Sequence, residues 1–530
     1  MAPRGTLFIA GTVVAGPNQQ PQKDWAIYVE DGVIREVGPR TELQRAHPAV
    51  NRLGIIDGTI LPGLTDAHGH LYGLGVSLST VSLVNTQSFD EVLARVKERA
   101  AATPRGQWIT GRGWDQNDWP VKEFPTAAML DAAVSDHPVF LSRIDGHAAV
   151  VNTAALRAAG VTAATKDPEG GRIVRDASGN PTGTFIDAAM DLVEKHIPEA
   201  TPAQRKEAVL AAAKNIAAHG LTEMHDAGID AATIAAVKEL IDEKRFPIRV
   251  YAMLGDNAEL LRTWFAQGPL NEYGGRLTVR AVKLYADGAL GSRGAALLEP
   301  YSDDPGNVGL MIAKPEHIED VARRGRAAGF QINTHAIGDR GVRNVIESYA
   351  RAGVVANDRY RVEHLQVIAP DDVSKLISRG IIASMQPTHA TSDMYWAEAR
   401  LGPQRVRGAY AWRTILDARG RLALGSDFPV EEVNPFFGIY AAVTRQDQAG
   451  TPAGGWYPNQ RLTLAEAIRG FTLDAAYAAF EERSRGTIEV GKLADFTIVA
   501  GDLYAMPAAE LHKAKVWGTI VGGEVAYRAK

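Results

Sequence analysis

The sequence contains no cysteine among its 530 residues. This absence excludes disulfide bonds, thiolate metal sites and cysteine nucleophiles. Any metal would therefore be held by histidine, carboxylate or lysine-derived groups. The chain also lacks an apolar run of membrane-spanning length, and Met1–Gly5 do not begin a signal segment. We therefore expect a cytoplasmic protein without a membrane partner.

An excess of positive charge is absent as well. The chain has 57 basic and 62 acidic residues, a net charge of -5, which gives no reason to expect nucleic acid as a partner. Its 45% hydrophobic and 22% charged residues are typical of a soluble globular enzyme, so the expected partner is a small-molecule substrate. Homo-oligomers, above all dimers, are common among such proteins, and we expect one here. The length favours one large domain with accessory domains.

Strand-like segments occur at both ends of the chain. They are apolar or alternate apolar with polar residues, and turn signals such as Glu30–Gly32 separate them. Because the two ends of a domain often lie close together, we predict that residues 1–60 and 486–530 form one small β-sandwich. The segments are Leu7–Ala10, Trp25–Val29, Val33–Val37, Asp495–Val499 and Val516–Val521.

Between these ends, residues 61–485 alternate short apolar strands with segments of helical periodicity. This alternation is the pattern of βα units. It predicts an α/β fold, a (β/α)8 TIM-type barrel, with catalytic groups at the carboxyl ends of the strands. The eight candidate strands are Ile60–Ala67, Leu221–Asp226, Ile248–Met253, Ala281–Ala286, Gln331–His335, Tyr360–Leu365, Ile381–Gln386 and Leu422–Asp427.

The connection between the first two candidate strands is far longer than an ordinary βα loop. We therefore predict that residues 71–200 form an insertion with structure of its own. Strand-like segments within it are Gln107–Gly111 and Pro138–Leu141. The insertion leaves from the strand end where catalytic groups are expected, which predicts a lid or a wall of the substrate site.

Metal-ligating and ionisable side chains occur in five of the candidate strands or directly after them. His68 and His70 are two residues apart, so both imidazoles point to the same face of a strand. A charged lysine in a buried strand is costly unless it is paired or chemically changed. A single histidine here would more often be a hydrogen-bonded core residue, but six such groups together predict a metal site. They are His68, His70, Lys283, His335, His364 and Asp427.

This ordered set resembles the amidohydrolase superfamily of metal-dependent hydrolases, and the resemblance covers nearly the whole chain. The pattern of that family implies a two-metal centre. By this resemblance, His68 and His70 with Asp427 would hold the more buried metal. His335 and His364 would hold the other.

By the same resemblance, Lys283 would bridge the two metals as an N-carboxylysine. That modification turns an ammonium, which cannot ligate a metal, into an anionic ligand with two oxygens. For such ligands Zn²⁺ is the expected metal, two ions per subunit, with Mn²⁺, Fe²⁺ or Co²⁺ as alternatives.

Longer matches point to one branch of the superfamily. Several longer segments of this sequence resemble the branch that contains N-substituted formamide deformylases, which is of the amidohydrolase family 3 type. The resemblance implies hydrolysis of carbon–nitrogen bonds in non-peptide amides, such as N-substituted formamides or N-acyl compounds. The matching segments are Gly113–Asp115, Arg143–His147 with Asn152, Lys283–Arg293 and Thr334–Asp339.

A bound metal lowers the pKa of its water to about 7 and so supplies hydroxide that can attack an amide carbonyl. Asp427 is expected to take the proton of the water and pass it to the leaving amine, in addition to ligating the metal. Five further residues are candidate substrate contacts, although packing or an ordinary hydrogen bond would explain them as well. They are Trp114, His147, His225, Arg293 and His389.

Other interpretations of the same site stay open. It could hydrolyse another carbonyl substrate, such as a carbamate, a lactone or an amide-linked xenobiotic. Deamination of a ring fits less well, because deaminases of the family commonly keep one metal. A non-catalytic scaffold of the same fold would have lost ligands, whereas all six ligand positions are filled here.

Overall fold

A computed structural model describes residues 5–16, 20–168 and 170–530. Met1–Arg4, the N-terminal residues that do not resemble a signal segment, lie outside the described residues. The chain divides into two compact units: the first comprises the residues up to Leu71 and Val209–Lys530, and the second comprises Tyr72–Ala208. In the described ranges no helix is long and apolar enough to cross a membrane.

The centre of the first unit is a barrel of parallel strands. Neighbouring strands pair in sequence order, and the backbone N–H of Asp427 donates to His68 O at 2.7 Å, which nearly closes the ring between the last strand and the first. The α/β barrel prediction is therefore confirmed. Among the described residues the eight strands are β1 (Leu64–Gly69), β2 (Leu221–Ile229), β3 (Arg249–Leu254), β4 (Leu277–Tyr285), β5 (Gln331–Ala336), β6 (Arg361–His364), β7 (Ile382–Met385) and β8 (Leu422–Leu424).

The predicted first strand, Ile60–Ala67, is wrong in its bounds. Its first three residues belong to a strand of the terminal sheet, Asn51–Pro62, and β1 begins only at Leu64. The break falls at Gly63, where a Cβ would lie 2.2 Å from Thr222 Oγ1 on β2. This close approach requires glycine, and the chain changes sheets there.

Helices follow most barrel strands and cover the outside of the barrel, as the βα pattern predicts. A short antiparallel strand, Leu270–Tyr273, pairs with the first residues of β4. The α-helices are Arg40–Ala46, Pro202–Ala218, Ala231–Asp242, Ala258–Gln267, Pro315–Ala327, Asp339–Arg351, Pro370–Ser378, Pro387–Asp393, Ala397–Arg405, Trp412–Asp417, Pro435–Thr444, Leu464–Gly470 and Leu473–Ala478. Short 3₁₀ turns are Ala356–Asp358, Val406–Gly408, Pro458–Gln460 and Ala508–Lys513.

Both chain ends join one sheet beside the barrel. Its middle strand, Asn51–Pro62, runs parallel to Thr6–Val13 and antiparallel to Phe496–Val499, and so links the two ends. Buried side chains from both ends, such as Phe8 and Phe496, pack in one core. In the described part of the chain this sheet has eight strands: Thr6–Val13, Gln22–Lys23, Trp25–Glu30, Val33–Pro39, Asn51–Pro62, Phe496–Val499, Val516–Val521 and Glu524–Arg528.

The second unit, Tyr72–Ala208, has its own sheet and cores. Helix Phe89–Ala102 begins at Ser88, whose Oγ accepts from the Glu91 N–H, and it packs its apolar face on the sheet. The sheet strands are Val81–Ser82, Ile109–Trp114, Val139–Arg143, Ala148–Val151, Gly171–Arg175 and Pro181–Asp187. The other helices are Leu71–Ser77, which spans the boundary, Gln116–Asp118 (3₁₀), Ala127–Asp131, Thr153–Ala159 and Asp191–Glu194.

Candidate metal centre

Three of the predicted ligands converge where β8 meets β1. His68 lies near the end of β1, and its Nε2 is 3.6 Å from Asp427 Oδ1. His70 Nε2 donates to the same oxygen at 3.0 Å. His68 Nε2 is also 3.1 Å from Lys283 Nζ on β4. The group predicted to hold the more buried metal is therefore assembled around one carboxylate oxygen, with the lysine beside it.

The other two predicted ligands lie next to this group. The rings of His335 and His364, from β5 and β6, have centroids 4.6 Å apart, and the His364 ring is 4.6 Å from the His68 ring. His68, His364 and Asp427 each offer one ligand atom, and these atoms lie within 4.8 Å of one another. The structure thus brings the six predicted side chains into one cluster at the carboxyl ends of the strands.

Two of these residues have a backbone conformation that is uncommon for side chains other than glycine. The φ angle is 70° at His364 and 64° at Asp427. Such a residue costs on the order of 1–3 kcal/mol, and it persists where the surrounding structure holds it in place. In a regular strand His364 would point away from the face that Glu363 occupies. The left-handed turn instead directs the imidazole into the cluster.

Two polar side chains that the sequence analysis did not single out orient the imidazoles. Glu363 Oε2 accepts from His68 Nδ1 at 2.5 Å, and Gln386 Oε1 accepts from His364 Nδ1 at 2.8 Å. Since Nδ1 is engaged in both rings, each ring presents Nε2 to the cluster. One sequence signal could have revealed Glu363: it is an acidic residue inside a buried strand, directly before His364.

Glu363 is itself held by an arginine two residues earlier on β6. Arg361 Nε lies 2.7 Å from Glu363 Oε1, and both side chains are fully buried. The period of two along a strand places both on the inside of the barrel. Arg361 also donates to Ala67 O at 2.5 Å and to Ser384 Oγ at 3.1 Å, and its Nη1 is 3.0 Å from His225 Nδ1. The ion pair therefore connects β1, β2, β6 and β7 next to the predicted ligands.

Asp66 holds the ends of β1 and β8 together. Its carboxylate accepts from the His68 backbone N–H at 3.0 Å and from Ser426 Oγ at 2.6 Å. Burial raises the pKa of Asp66 to about 7. Gly425 is required beside it, because a Cβ there would lie 2.5 Å from Asp66 Oδ1 and 2.6 Å from His68 N. Asp66 thus fixes the relative position of His68 and Asp427.

Burial and charge set the protonation of the cluster. Burial, with the nearby Lys283 ammonium, lowers the pKa of the His68 imidazole to about 4. Burial also lowers the pKa of Lys283 to about 8. Burial alone would raise the pKa of Asp427, but the hydrogen bond from His70 and the neighbouring imidazoles hold it well below its usual range. His68 is therefore neutral and Asp427 ionised at neutral pH, the forms that ligate metals.

These donor groups fit a divalent transition metal. Imidazole nitrogen and carboxylate oxygen are the ligands that Zn²⁺ and its neighbours in the periodic table accept. The hydrogen bonds at Nδ1 leave Nε2 of His68 and His364 for a metal, and such outer hydrogen bonds are typical of metal-bound histidines. The cluster also lies at the end of the barrel where TIM-barrel enzymes carry their active sites.

Two of the candidate substrate contacts in the first unit lie close to this network. His389 Nε2 is 3.7 Å from Asp427 Oδ2, and its ring stacks on that of His364 at 5.9 Å between centroids. His225 is fully buried, and its Nδ1 faces Arg361. The contact with Arg361 is an ordinary hydrogen bond, which is the alternative to substrate binding that the sequence left open for His225. His389 remains a candidate substrate contact.

The third candidate of the first unit is engaged elsewhere. Arg293 follows β4, and its Nη2 forms an ion pair with Asp303 Oδ2 at 2.9 Å. Asp303 also accepts from Arg400. The guanidinium of Arg293 therefore stabilises the loops around it.

Trp114 and His147 belong to the second unit and make their contacts within it. The Trp114 ring is fully buried in the core of that unit, and its Nε1 donates to Leu141 O at 2.8 Å. His147 Nδ1 lies 2.8 Å from Asp187 Oδ1. The two alternatives named from the sequence therefore account for these residues: packing for Trp114 and a hydrogen bond for His147.

Known proteins resemble this chain in sequence and in fold. Residues 57–527 match the amidohydrolase family, a span far longer than half of the chain. The chain belongs to the amidohydrolase family. A further short match, over residues 26–49, is to the imidazolonepropionase-like composite domain of bacteria.

Three of the similar proteins match this amidohydrolase over nearly their full length. The putative amidohydrolase YtcJ of Bacillus subtilis is 34% identical over 513 residues, which cover 95% of this chain and 96% of the relative. The N-substituted formamide deformylase of Arthrobacter pascens is 27% identical, with 95% and 94% covered. An uncharacterized metal-dependent hydrolase from Pyrococcus horikoshii superposes with a TM-score of 0.77 at 26% identity, with 95% and 99% covered. This amidohydrolase is accordingly a metal-dependent hydrolase.

Glu363→Gln tests the hydrogen bond that orients His68. The amide can still accept from His68 Nδ1, but it loses the charge that pairs with Arg361 and places an NH₂ group near the guanidinium. We expect the affinity for Zn²⁺ to fall about 10- to 100-fold, as for other residues that support a metal ligand. Competition with a chromophoric chelator measures this affinity.

Glu482→Gln is the matched control, because Glu482 also pairs with an arginine, Arg359, at 2.9 Å and lies away from the ligands. This variant should bind Zn²⁺ as the wild type does. An unchanged affinity in Glu363→Gln would show that the buried ion pair serves only the stability of the barrel.

Proposed function

We propose that this amidohydrolase hydrolyses carbon–nitrogen bonds of non-peptide amides, such as N-substituted formamides or N-acyl compounds. The observation that carries the proposal is the cluster of four imidazoles, one lysine and one carboxylate at the carboxyl end of the barrel. The similarity to an N-substituted formamide deformylase over the full chain supports the amide as substrate class.

The same proposal assigns the ligands. His68, His70 and Asp427 would hold one Zn²⁺, and His335 and His364 would hold a second. When bound, such metals lower the pKa of water to about 7 and polarise a carbonyl oxygen. The assignment is supported by the shared oxygen of Asp427, 3.0 Å from His70 Nε2 and 3.6 Å from His68 Nε2.

Lys283 is proposed to be carboxylated on Nζ and to join the two ligand groups. As an ammonium it would stand 3.1 Å from His68 Nε2 and repel any cation bound there. As a carbamate it would supply two oxygens and a negative charge at the same point. Its buried position on β4, between the groups on β1 and β5, supports this role.

Asp427 is proposed to carry the proton during hydrolysis. The oxygen of water bonds to the amide carbon, and Asp427 takes the proton that this oxygen loses. As the carbon–nitrogen bond breaks, Asp427 returns the proton to the nitrogen, so that an acid and an amine leave. His389 Nε2, 3.7 Å from Asp427 Oδ2, lies where it can bind the substrate next to the carboxylate.

Metal removal tests the function directly. The purified enzyme is assayed on formamides, N-acyl amino acids, carbamates and lactones, then treated with a chelator and reloaded with Zn²⁺. We expect hydrolysis of at least one amide, its loss to the background rate after chelation, and its return with Zn²⁺. Activity that survives complete metal removal, or a zinc-loaded enzyme that hydrolyses only lactones, would contradict the proposal.

A further inference from the structure

A cavity of about 470 Å³ lies beside Tyr285, the last residue of β4. This volume lies within the range of small-molecule sites, roughly 300–1,000 Å³. Asp256 follows β3 and Tyr285 ends β4, so the cavity opens at the same end of the barrel as the predicted ligands. Its lining residues are Asp256, Tyr285, Ile312, Ala313, Lys314 and His317.

Tyr285 connects the cavity with the cluster. Its ring centroid lies 5.0 Å from Lys283 Nζ and 5.5 Å from the centroid of the His335 ring. The same side chain lines the cavity and is 39% exposed. A substrate with its amide bond at the cluster can therefore extend across Tyr285 into the cavity.

The walls of the cavity are held in place by hydrogen bonds within the barrel loops. Ile312 N donates to Ala286 O at 2.8 Å, and Met311 forms an isolated bridge with Asp287. His317 Nε2 lies 2.8 Å from Asp256 Oδ2. The segment before helix Pro315–Ala327 is thereby attached to the end of β4, and the first turn of the helix to the loop after β3.

The chemistry of the walls selects the ligand. Ile312 is 60% exposed, and with Tyr285 and Ala313 it presents apolar surface to the cavity. An apolar surface inside a concave site next to a catalytic centre favours an apolar ligand group. The Asp256 carboxylate is already engaged by His317, and the Lys314 ammonium disfavours a cationic group.

We propose that this cavity binds the uncharged, apolar N-substituent of the amide substrate, with Tyr285 and Ile312 as its apolar wall. The proposal rests on the amide hydrolysis proposed above and adds the class of amine that the enzyme releases. An aryl or branched alkyl substituent fits the cavity. A methyl group is too small to fill the cavity, and an ammonium group would be repelled by the Lys314 ammonium.

Ile312→Ala tests the wall without touching a predicted ligand, and the exposed position makes a folding defect small. The zinc-loaded enzyme is assayed on N-[2-(4-fluorophenyl)ethyl]formamide and on N-methylformamide. We expect kcat/KM for the aryl substrate to fall about tenfold, while kcat/KM for N-methylformamide and the metal content stay unchanged. Val355→Ala is the control, since Val355 is 49% exposed and precedes β6 at the opposite end of the barrel.

Binding separates this proposal from the proposed function. Fluorine NMR of the zinc-loaded enzyme measures the affinity for the fluorinated formamide, whether or not it is hydrolysed. If the wild type hydrolyses no amide, the proposed function fails, and a loss of affinity in Ile312→Ala but not in Val355→Ala still supports the subsite. The subsite proposal would be overturned if Ile312→Ala and the wild type had the same ratio of kcat/KM for the two formamides and the same affinity for the fluorinated one.

Discussion

Asp427→Asn lowers kcat for the best amide substrate by about 10²–10⁴-fold, the range expected when a positioned proton carrier is lost. The amide of asparagine cannot accept the proton, and it is a poorer ligand than a carboxylate. In the wild type, Asp427 Oδ1 lies 3.0 Å from His70 Nε2 and 3.6 Å from His68 Nε2. Steady-state kinetics, with metal content measured on the same samples, checks the result.

The barrel of this variant should stay folded. Asparagine tolerates the left-handed φ of 64° at position 427, and the backbone bond from that residue to His68 O does not involve the side chain. Thermal unfolding checks this. Asp417→Asn, at an exposed carboxylate paired with Arg413, should keep full activity. Near-normal turnover in Asp427→Asn would exclude Asp427 as the proton carrier.

Lys283→Ala should lose at least half of the bound metal and at least about 100-fold in activity. Removing a residue that only supports a metal ligand costs up to about 100-fold in activity. Lys283 is proposed to be a ligand itself, so its removal should cost at least that much. The truncation leaves a space beside His68 Nε2, which was 3.1 Å from Nζ. Acetate or propionate can enter this space and supply the missing oxygens, so added short carboxylic acids should restore part of the activity.

Lys283→Met provides the control for rescue. Methionine fills the volume of the lysine chain but supplies no oxygen, so we expect the same loss of metal and no recovery with acetate. Metal analysis and activity titrations with acetate measure both effects. Unchanged metal content in Lys283→Ala would contradict the bridge between the two ligand groups.

Much of the fold and most of the cluster can be predicted from the chain because both follow from local periodicity. The alternation of apolar strands with helices indicates a barrel, and a barrel places the carboxyl ends of its strands together. His68 and Asp427 lie 359 positions apart, and they meet because both are at the carboxyl ends of neighbouring strands of the same ring. Seven of the eight candidate strands agree with β2–β8 to within four residues at either end.

The residues that orient the ligands could not be predicted in the same way. The sequence marks Glu363 only as an acidic residue in a buried strand and does not mark Gln386 at all. Their partners, Nδ1 of His68 and Nδ1 of His364, are set by the fold. The contact between β6 and β1 depends on the curvature of the ring, which strand periodicity does not specify. The left-handed backbone at His364 is likewise a product of the packing around it, since a regular strand would direct the ring outward.

The candidate substrate contacts show the same limit. Trp114 is of a residue type that is common in binding sites, yet its side chain packs in the core of the Tyr72–Ala208 unit. Ile312 carries no sequence signal, yet it lines a cavity beside the cluster together with Tyr285. Whether an aromatic or aliphatic side chain packs or binds depends on what covers it, and only the tertiary structure shows this.

The amino-acid sequence by itself determined the barrel, the absence of thiolate chemistry and the six side chains of the cluster, because each depends on residue type and strand period. The tertiary structure decided which nitrogen of His68 and of His364 faces the cluster, which carboxylate is shared, and where a cavity lies beside Tyr285. Those properties depend on distances between strands that are remote in the chain, and such distances exist only once the ring of strands has closed.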